Sequence, residues 1–286
     1  MKKKKYLICV DLDETLLTTD KTISQYTLDS IKELYQNGHY FIMSSGRPYH
    51  GMNNFAQMLG IDELPIASLN GSSICWTNYK EDKITKAITF TIPNALVKSL
   101  FKSASKYIKA SLAYSLNHVY MYNREFIPTW TLHINKYVTP HEGRFDEIVH
   151  EDILTMTFQV YEKDLPKFER IAKRKKYQNL LIFNWGIWDG VASFEISLKI
   201  ATKGHALKYL KELYGIEDDC TIAFGDGPND VSMLEDAYEG VTMCNSREYI
   251  LKQGKIFTFL SNNEDGIIDY LRKVHPDMWE KSKTKC

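Results

Sequence analysis

Short apolar runs alternate with amphipathic stretches in the first third of the chain. Residues 6–10 form an apolar run between lysines and acids, which is typical of a strand buried on both faces of a parallel sheet. The stretch 24–37 carries apolar residues at helical spacing, and Gly38 stands where such a helix would end. Two more apolar runs follow at 40–43 and 65–69. Strands and helices in this order predict a parallel sheet with right-handed crossovers.

The hydrophobic pattern changes after about Thr77. Alternation typical of antiparallel strands recurs in four segments: 84–92, 112–122, 154–161 and 180–187. Helical spacing interrupts this alternation in two places: 93–110 and 164–176. The middle third lacks the long buried runs of the first third. We therefore predict a separate α+β domain inserted into the first one.

The parallel-sheet pattern resumes after residue 196. Five segments complete it: a helix at 203–214, a buried strand at 221–224, strands at 241–243 and 256–260, and a helix at 265–273. Together these patterns predict an α/β fold, a doubly wound, Rossmann-like parallel-sheet core with an inserted α+β cap domain. The core is predicted to span 1–83 and 192–286, and the cap 84–191.

The overall charge excludes some classes of partner. Lys and Arg together number 36, as do Asp and Glu, so there is no global field to attract nucleic acid or a membrane. The cysteines form no CxxC or Cys/His cluster and are predicted to be reduced thiols of a cytosolic protein. They are Cys9, Cys75, Cys220, Cys244 and Cys286.

The two ends of the chain carry features that resemble targeting signals. The lysines at 2–5 precede an apolar run that breaks at Asp11, too short for a signal peptide or a membrane span. We expect these lysines to be a solvated extension. Cys286 lacks the three following residues of a prenylation box, so no lipid anchor is expected. These features predict a cytoplasmic protein.

Polar residues stand at the ends of predicted strands or at helix starts in four places. They are Asp11 with Asp13, Ser45-Gly46-Arg47, Lys203, and Asp226 with Asn229 and Asp230. Because the carboxyl ends of parallel strands lie along one edge of a sheet, these groups can converge. Asp11 and Asp226 could then bind Mg²⁺, which prefers carboxylate oxygens and water. Ser45 and the ammonium of Lys203 would hold phosphate oxygens.

Each of these segments also has an ordinary interpretation. Two acids after a strand can form a solvated turn, a serine before glycine is a common turn former, and a lysine at a helix start is often a solvated charge. The sequence Gly-Asp-Gly-Pro-Asn-Asp at 225–230 is turn chemistry by composition. Their joint occurrence, each at a strand end or helix start, is not explained by these separate interpretations.

The same segments resemble the four motifs of the haloacid dehalogenase-like superfamily. The matching segments are DLDET at 11–15, SGRP at 45–48, KG at 203–204 and GDGPND at 225–230. The chain more narrowly resembles the Cof-type phosphatases of subclass IIB, whose large α/β cap lies between the second and third motifs. Asn70-Gly71 and the NEDG segment at 263–266 share this resemblance. The departures are Glu14, where the subfamily usually has glycine, and Ser44-Ser45, where it commonly has Ala-Thr.

The resemblance implies an aspartyl-phosphate mechanism. Asp11 would attack phosphorus, and Asp13 would protonate the leaving alcohol and then activate water. Thr15 would help to orient the turn. Mg²⁺ would be held by Asp11, Asp226 and the backbone carbonyl of Asp13. An acid at position 13 distinguishes phosphatases from the dehalogenases of this superfamily, which lack it.

The resemblance also assigns the remaining motif residues. The phosphoryl group would be bound by four residues: Ser45, Gly46, Lys203 and Asn229. Asp230 would orient the groups around metal and phosphate, and Arg47 and Asn70 would lie on the side of the substrate and cap. The cap itself is expected to select the substrate by closing over the site. Its polar and aromatic candidates are Tyr120, Tyr122, His141, Arg144, Trp185, Trp188 and Asp189.

The predicted function is therefore a Mg²⁺-dependent phosphatase of small phosphorylated metabolites, with sugar phosphates first and nucleotides second. Its expected partner is a small phosphate ester, and the chain is expected to be a monomer or a weak homodimer. One alternative is a phosphomutase of the phosphomannomutase type, although the turn at 45–48 departs from that family. The other is a silent binding or regulatory protein, although all the acids and Lys203 are present.

Overall fold

The computed structural model describes residues 4–80, 83–129, 132 and 138–280. The chain divides into two compact units. The first consists of Met1–Arg47, Met52–Ile88 and Thr202–Cys286, and the second of Pro48–Gly51 and Thr89–Ala201. The expectations for Lys2, Lys3 and Cys286 lie outside the described residues.

Strands and helices alternate along most of the chain. The strands are β1 Leu7–Asp11, β2 Tyr40–Ser44, β3 Leu64–Ser68, β4 Ser73–Asn78, β5 Lys83–Thr89, β6 Ile108–Tyr114, β7 His118–Tyr122, β8 Thr139–Glu142, β9 Thr155–Tyr161, β10 Leu180–Trp188, β11 Val191–Leu198, β12 Thr221–Gly225, β13 Glu239–Thr242 and β14 Ile256–Phe257. The helices are α1 Gln25–Gln36, α2 Asn53–Leu59, α3 Asn94–Ala104, α4 Phe145–Ile148, α5 Leu165–Ala172, α6 Lys203–Tyr214, α7 Val231–Asp236, α8 Glu248–Leu251 and α9 Gly266–Val274.

The first unit is built on an eight-stranded sheet. Its order is β14-β13-β12-β1-β2-β3-β4-β5, and the six strands from β14 to β3 are parallel. All five residues of β1 are buried, because this strand lies in the middle of the sheet with neighbours on both sides. The parallel core that the apolar runs predicted is confirmed.

The second unit is built on a six-stranded sheet of order β10-β11-β9-β6-β7-β8. Its strand pairs are antiparallel except for the last, β7 with β8. Helices α3 and α5 contribute Phe101 and Phe168 to a core that also contains Phe158 and Phe194 from the sheet. The predicted combination of an α/β core with an α+β insertion is thus confirmed as the fold class.

Two predicted segments in the second unit differ in their limits from the structure. The helix expected over 93–110 ends at Ala104, and β6 already begins at Ile108. The segment 112–122, expected to be of strand type, contains the end of β6, a turn and β7. The turn is closed by Ser115, whose backbone N–H donates to the carbonyl of His118 at 3.0 Å and whose Oγ accepts from the N–H of His118 at 3.1 Å. A serine side chain that bonds the nearby backbone in this way ends the strand.

The sheet pairing bears on the predicted domain limits of 84 and 191. Strand β5 belongs to the sheet of the first unit although it continues to Thr89, and β11 begins at Val191 and pairs with β9 and β10 in the second unit. Strands therefore cross both predicted limits. The domain limits stay a prediction.

The ends of α1 follow the local sequence. The hydroxyl of Ser24 accepts from the backbone N–H of Thr27 at 3.0 Å and caps the helix, and Gly38 follows its end with φ of +88°. None of the helices in the described part of the chain is long and apolar enough to cross a membrane. Among the described cysteines, which are all free, Cys244 is exposed.

Candidate active site

Three carboxylates meet at the carboxyl edge of the parallel sheet. Asp11 is the last residue of β1, and β12, which ends at Gly225, is one of the two parallel neighbours of β1. The turn after β12 carries Asp226 and Asp230. Carboxylate oxygens of the three acids lie within 4.8 Å of one another. Asp11 and Asp230 are buried, and Asp226 is partly buried.

The ammonium of Lys203 lies between two of these acids. Thr202 caps α6 by accepting from the backbone N–H of His205 at 3.1 Å, which places Lys203 at the first helical position. The lysine side chain is fully buried and donates to Asp11 and, at 2.5 Å, to Asp230 Oδ1. Burial lowers the pKa of Lys203, but the charges of the two acids outweigh burial and the net pKa is raised. Lys203 is therefore a buried cation.

One ammonium does not neutralise three carboxylates. Burial raises the pKa of Asp11 well above its usual value, and the charge of Asp230 raises it further against the opposing effect of Lys203. Burial and Asp230 likewise raise the pKa of Asp226 to about 6. The ionised acids are thus unfavourable unless more positive charge is present. A divalent cation that prefers oxygen ligands, such as Mg²⁺, fits this set of donors.

The turn after β12 is fixed by the side chain of Asp230. Its Oδ2 accepts from the backbone N–H groups of Asp226 at 3.0 Å and Gly227 at 2.9 Å. The hydroxyl of Thr15 donates to Asp226 Oδ1 at 3.0 Å. A Cβ on Gly225 would lie 2.5 Å from the Cβ of Asp230, so only glycine allows this packing.

A second group of polar residues surrounds Ser45, the residue after β2. The backbone N–H of Asn70 donates to the carbonyl of Ser45 at 2.9 Å, and Ser45 Oγ accepts from the N–H of Arg47 at 3.2 Å. A Cβ on Gly46 would contact the side chain of Asn70 at 3.4 Å. Asn229 Nδ2 donates to Asn70 Oδ1 at 3.0 Å. The structure therefore brings the Ser45 turn together with Asn70 and Asn229.

The guanidinium of Arg47 forms an ion pair with the carboxylate of Asp13. Its Nε and Nη2 donate to Oδ2 and Oδ1 of Asp13 at 2.8 and 2.6 Å, a two-pronged pairing of fixed geometry. Lys21 also approaches Asp13, with 3.1 Å between Nζ and Oδ1. Burial raises the pKa of Asp13, but the hydrogen bonds and charges of Arg47 and then Lys21 outweigh burial, and the net pKa is lowered. In this arrangement Asp13 is therefore ionised.

Sequence reasoning missed Lys21. Nothing in its spacing pointed to the site, since it lies in a polar turn ten residues beyond Asp11. The only related signal was Glu14, which departs from the family pattern and whose Oε1 accepts from Lys21 Nζ at 2.8 Å. The lysine is close to Asp13 because the backbone forms a turn at 18–22 in which Lys21 is left-handed.

Three of the cap candidates take part in packing within the second unit. Tyr120 is buried, Tyr122 packs edge-on against Phe101 with 5.0 Å between ring centroids, and the guanidinium of Arg144 lies over the same ring at 5.4 Å. Phe101 is itself completely buried. These contacts favour a structural role for the three residues.

Of the other four cap candidates, Trp188 and Asp189 are exposed, and His141 and Trp185 are partly buried. Trp185 Nε1 donates to Glu195 Oε2 at 3.0 Å on neighbouring strands. Trp188 is 64% exposed, and Asp189 occupies the left-handed region with φ of +48° in the turn between β10 and β11. His141 hydrogen-bonds a second histidine on the adjacent strand β7. These residues can contact other molecules, but no contact in the second unit assigns them to a substrate.

Comparison with known proteins identifies the family. The family model of the haloacid dehalogenase-like hydrolases matches residues 8–271 of this chain. The chain is 30% identical over 277 residues to 5-amino-6-(5-phospho-D-ribitylamino)uracil phosphatase YitU of Bacillus subtilis. The aligned region covers 96% of this chain and 98% of that protein.

Solved structures agree with the family match. A haloacid dehalogenase-like hydrolase from Bacteroides thetaiotaomicron superposes with a TM-score of 0.76 at 26% identity, covering 95% of this chain and 100% of that one. The subclass IIB sugar phosphatase BT4131 has the same fold, with a TM-score of 0.71 at 20% identity and coverage of 96% and 100%. The chain therefore belongs to the haloacid dehalogenase-like hydrolases, resembles their Cof-type phosphatases throughout its length, and is a phosphoric monoester hydrolase.

Proposed function

We propose that this protein hydrolyses small phosphate monoesters with Mg²⁺ through a phosphorylated intermediate on Asp11. The observation that carries the proposal is the buried position of Asp11 at a strand end, in contact with the ammonium of Lys203 and beside the carboxylates of Asp226 and Asp230. A carboxylate attacks an anionic phosphate only when cations neutralise the charge of both. This site supplies one such cation and the ligands for another.

In the first step Asp11 attacks phosphorus. A bond forms between its carboxylate oxygen and phosphorus while the bond from phosphorus to the leaving oxygen breaks. Asp13 donates a proton to that oxygen, so that a neutral alcohol leaves. In this arrangement Arg47 and Lys21 hold Asp13 ionised. The negative charge of a bound phosphate raises the pKa of a nearby carboxyl group, so we expect substrate binding to favour protonation of Asp13 before this step.

In the second step water hydrolyses the intermediate. Asp13, now ionised, accepts a proton from the water as its oxygen bonds to phosphorus, and the bond between phosphorus and Asp11 breaks. Inorganic phosphate and the free carboxylate of Asp11 result, and Asp13 is again protonated for the next cycle. Splitting the displacement in two replaces one difficult step by two easier ones.

The remaining residues would bind the transferring group and the cation. Four residues are proposed to contact the phosphoryl oxygens: Ser45, Gly46, Lys203 and Asn229. Mg²⁺ held by Asp11, Asp226 and the backbone carbonyl of Asp13 would neutralise negative charge on the phosphoryl group. Asp230 would orient Lys203 and the turn that carries Asp226, as its contacts with both suggest. Arg47 and Asn70 would position Asp13 and Asn229.

The substrate is proposed to be a sugar or sugar-alcohol phosphate, with nucleotides second. The support is the name of the Bacillus subtilis relative, whose substrate carries its phosphate on a ribityl chain. A terminal phosphate on a polyol presents the poor alkoxide leaving group for which an acid at position 13 is useful. We expect the second unit to select the organic part. The cytoplasmic location, the domain limits and the monomer or weak homodimer remain predictions.

The test of this proposal is turnover of a generic aryl phosphate, 4-nitrophenyl phosphate, by the purified protein. We expect hydrolysis with Mg²⁺ and its loss with EDTA. The Asp11→Asn variant should lose turnover while unfolding at a temperature no lower than the wild type in EDTA. Full activity in Asp11→Asn would disprove the mechanism. Isomerisation of a sugar phosphate that depends on a bisphosphate activator and releases no inorganic phosphate would favour the phosphomutase alternative.

A panel of substrates then tests which organic group attached to the phosphate the enzyme prefers. Sugar phosphates, sugar-alcohol phosphates and nucleoside monophosphates should be compared by kcat/KM, because specificity is a ratio of these values. We expect the sugar-alcohol phosphates to rank highest. A higher kcat/KM for nucleoside monophosphates would overturn the proposed substrate class but not the reaction.

A further inference from the structure

The turn at 18–22 brings a lysine close to Asp13. The backbone N–H of Thr18 donates to the carbonyl of Thr22 at 2.9 Å, and the N–H of Lys21 donates to the carbonyl of Thr18 at 2.9 Å. Lys21 occupies the left-handed region with φ of +58°. This position in a short turn favours glycine, because a side chain there strains the backbone. A lysine at this position is therefore unfavourable for the turn itself.

Glu14 shows the same anomaly on the other side of Asp13. It has φ of +59°, another position that favours glycine, and its Oε1 accepts from Lys21 Nζ at 2.8 Å. Two residues with strained backbones thus form an ion pair with each other, and the lysine also contacts Asp13 Oδ1 at 3.1 Å. Backbone strain that persists beside reactive groups points to a role in function.

Contacts other than the ion pair hold the backbone of Glu14 and the turn at 18–22. Asn245 Nδ2 donates to the carbonyl of Glu14 at 2.8 Å. Asn263 Oδ1 accepts from the backbone N–H of Thr19 at 2.9 Å, and Asn263 Nδ2 donates to the hydroxyl of Thr19 at 3.0 Å. The side chains of Glu14 and Lys21 are roughly half exposed, at 43% and 45%. Exposed pairs contribute little to stability, so folding alone does not account for this one.

The cations divide unequally over the two oxygens of Asp13. Oδ1 is approached by Arg47 Nη2 at 2.6 Å and by Lys21 Nζ at 3.1 Å, whereas Oδ2 is approached by Arg47 Nε at 2.8 Å. The side chain of Asp13 is 37% exposed and so can be reached from solvent. The oxygen with fewer cationic contacts is the one better placed to hold and transfer a proton.

We propose that Lys21 is a positioning residue for Asp13: its ammonium, oriented by Glu14, ties Oδ1 together with Arg47 and so presents Oδ2 to the leaving-group oxygen of the substrate. This inference rests on the proposed function, in which Asp13 is the acid of the first step. Neither Lys21 nor Glu14 contacts the phosphoryl group in this account. Both act through the orientation of Asp13.

The test compares two esters that form the same intermediate. The leaving group of 4-nitrophenyl phosphate departs as a stable anion and needs little help from an acid, whereas ribitol 5-phosphate needs a proton on its oxygen. We expect Lys21→Gly and Glu14→Gly to lower kcat/KM for ribitol 5-phosphate about fivefold and that for the aryl ester less than about twofold. Their melting temperatures should equal or exceed that of the wild type, because glycine relieves the strained backbone.

Two further variants serve as controls. Lys21→Arg should restore most of the kcat/KM for ribitol 5-phosphate, since it keeps a cation near Asp13. Asp20→Ala removes an exposed charge from the same turn and should leave kcat/KM for both esters unchanged. Equal losses on both esters in Lys21→Gly, no loss on either, or a lowered melting temperature that accounts for the loss would overturn the inference. An active wild type with an inactive Asp11→Asn variant would leave the proposed function standing in each of these cases.

Discussion

Asp226 links the candidate metal site to the stability of the fold. Burial and the charge of Asp230 raise its pKa from 3.8 to about 6. An acid with a raised pKa in the folded state destabilises the fold in its charged form. The penalty is absent below the unfolded pKa, develops between the two values and is complete above the folded one. Its size is on the order of 3 kcal/mol.

Replacing Asp226 by asparagine should therefore stabilise the metal-free protein. In EDTA at about pH 8, Asp226→Asn should unfold at a higher temperature than the wild type, and the difference should shrink as the pH falls toward 4. Mg²⁺ should raise the melting temperature of the wild type and much less that of the variant. Calorimetry of both proteins, with Asp20→Asn as an exposed control, measures these effects. A variant that matches the wild type at pH 8 and keeps the full Mg²⁺ shift would refute this account.

The main polar residues of the site were predictable from their places along the chain. Asp11 ends a buried strand, Asp226 directly follows another and Lys203 begins a helix, so the geometry of a parallel sheet brings them to one edge. Lys21 was not predictable, because its approach to Asp13 depends on a left-handed backbone that non-glycine residues seldom adopt. The contact of Arg47 with Asp13 depends likewise on side-chain packing. Local patterns indicate strand ends but not such contacts.

The loop after β3 and the start of α6 meet at a glycine. Gly71 has φ of +92°, and a Cβ there would lie 2.3 Å from the carbonyl oxygen of Thr202, the residue that caps α6. This close approach places Asn70 and Lys203 in the same region of the first unit. The position therefore requires glycine for two reasons, the backbone conformation and the available space.

A pair of glycine variants separates these two reasons. Gly38 has a similar φ of +88°, and a Cβ there would have nothing within 4 Å, so Gly38→Ala should cost about 1 kcal/mol from backbone strain alone. Gly71→Ala should cost more than about 3 kcal/mol, because it adds a clash with backbone to the same strain. Urea unfolding of both variants gives the difference. Equal losses would show that the contact with Thr202 relaxes without cost.

Elements with a strong periodic pattern and clear end signals were predicted well. Strand β1, with apolar residues throughout, and helix α1, with its serine cap and following glycine, lie where the sequence placed them. In the region 93–122 the helix was predicted too long and the turn between β6 and β7 was missed, because the apolar residues fit both helical and strand spacing and the deciding turn is made by a single serine side chain. Tertiary pairing with β9, rather than local preference, makes residues 108–114 a strand.

The chain order and the spatial order of the site differ widely. Lys203 and Asp11 are 192 positions apart and in direct contact, because the chain returns to the first unit after building the second. The return was predictable from the change of hydrophobic pattern on either side of the insertion. The roles of the exposed side chains in the second unit were not, because the strand pattern does not determine which of them meets a substrate.

The steric course at phosphorus tests most directly whether hydrolysis proceeds through phosphorylated Asp11. A substrate made chiral at phosphorus with oxygen isotopes and sulfur is hydrolysed in labelled water, and the configuration of the product thiophosphate is determined. Two successive in-line displacements, first by Asp11 and then by water, predict overall retention. Overall inversion would mean that water attacks the substrate directly, and it would contradict the assignment of Asp11 as the nucleophile.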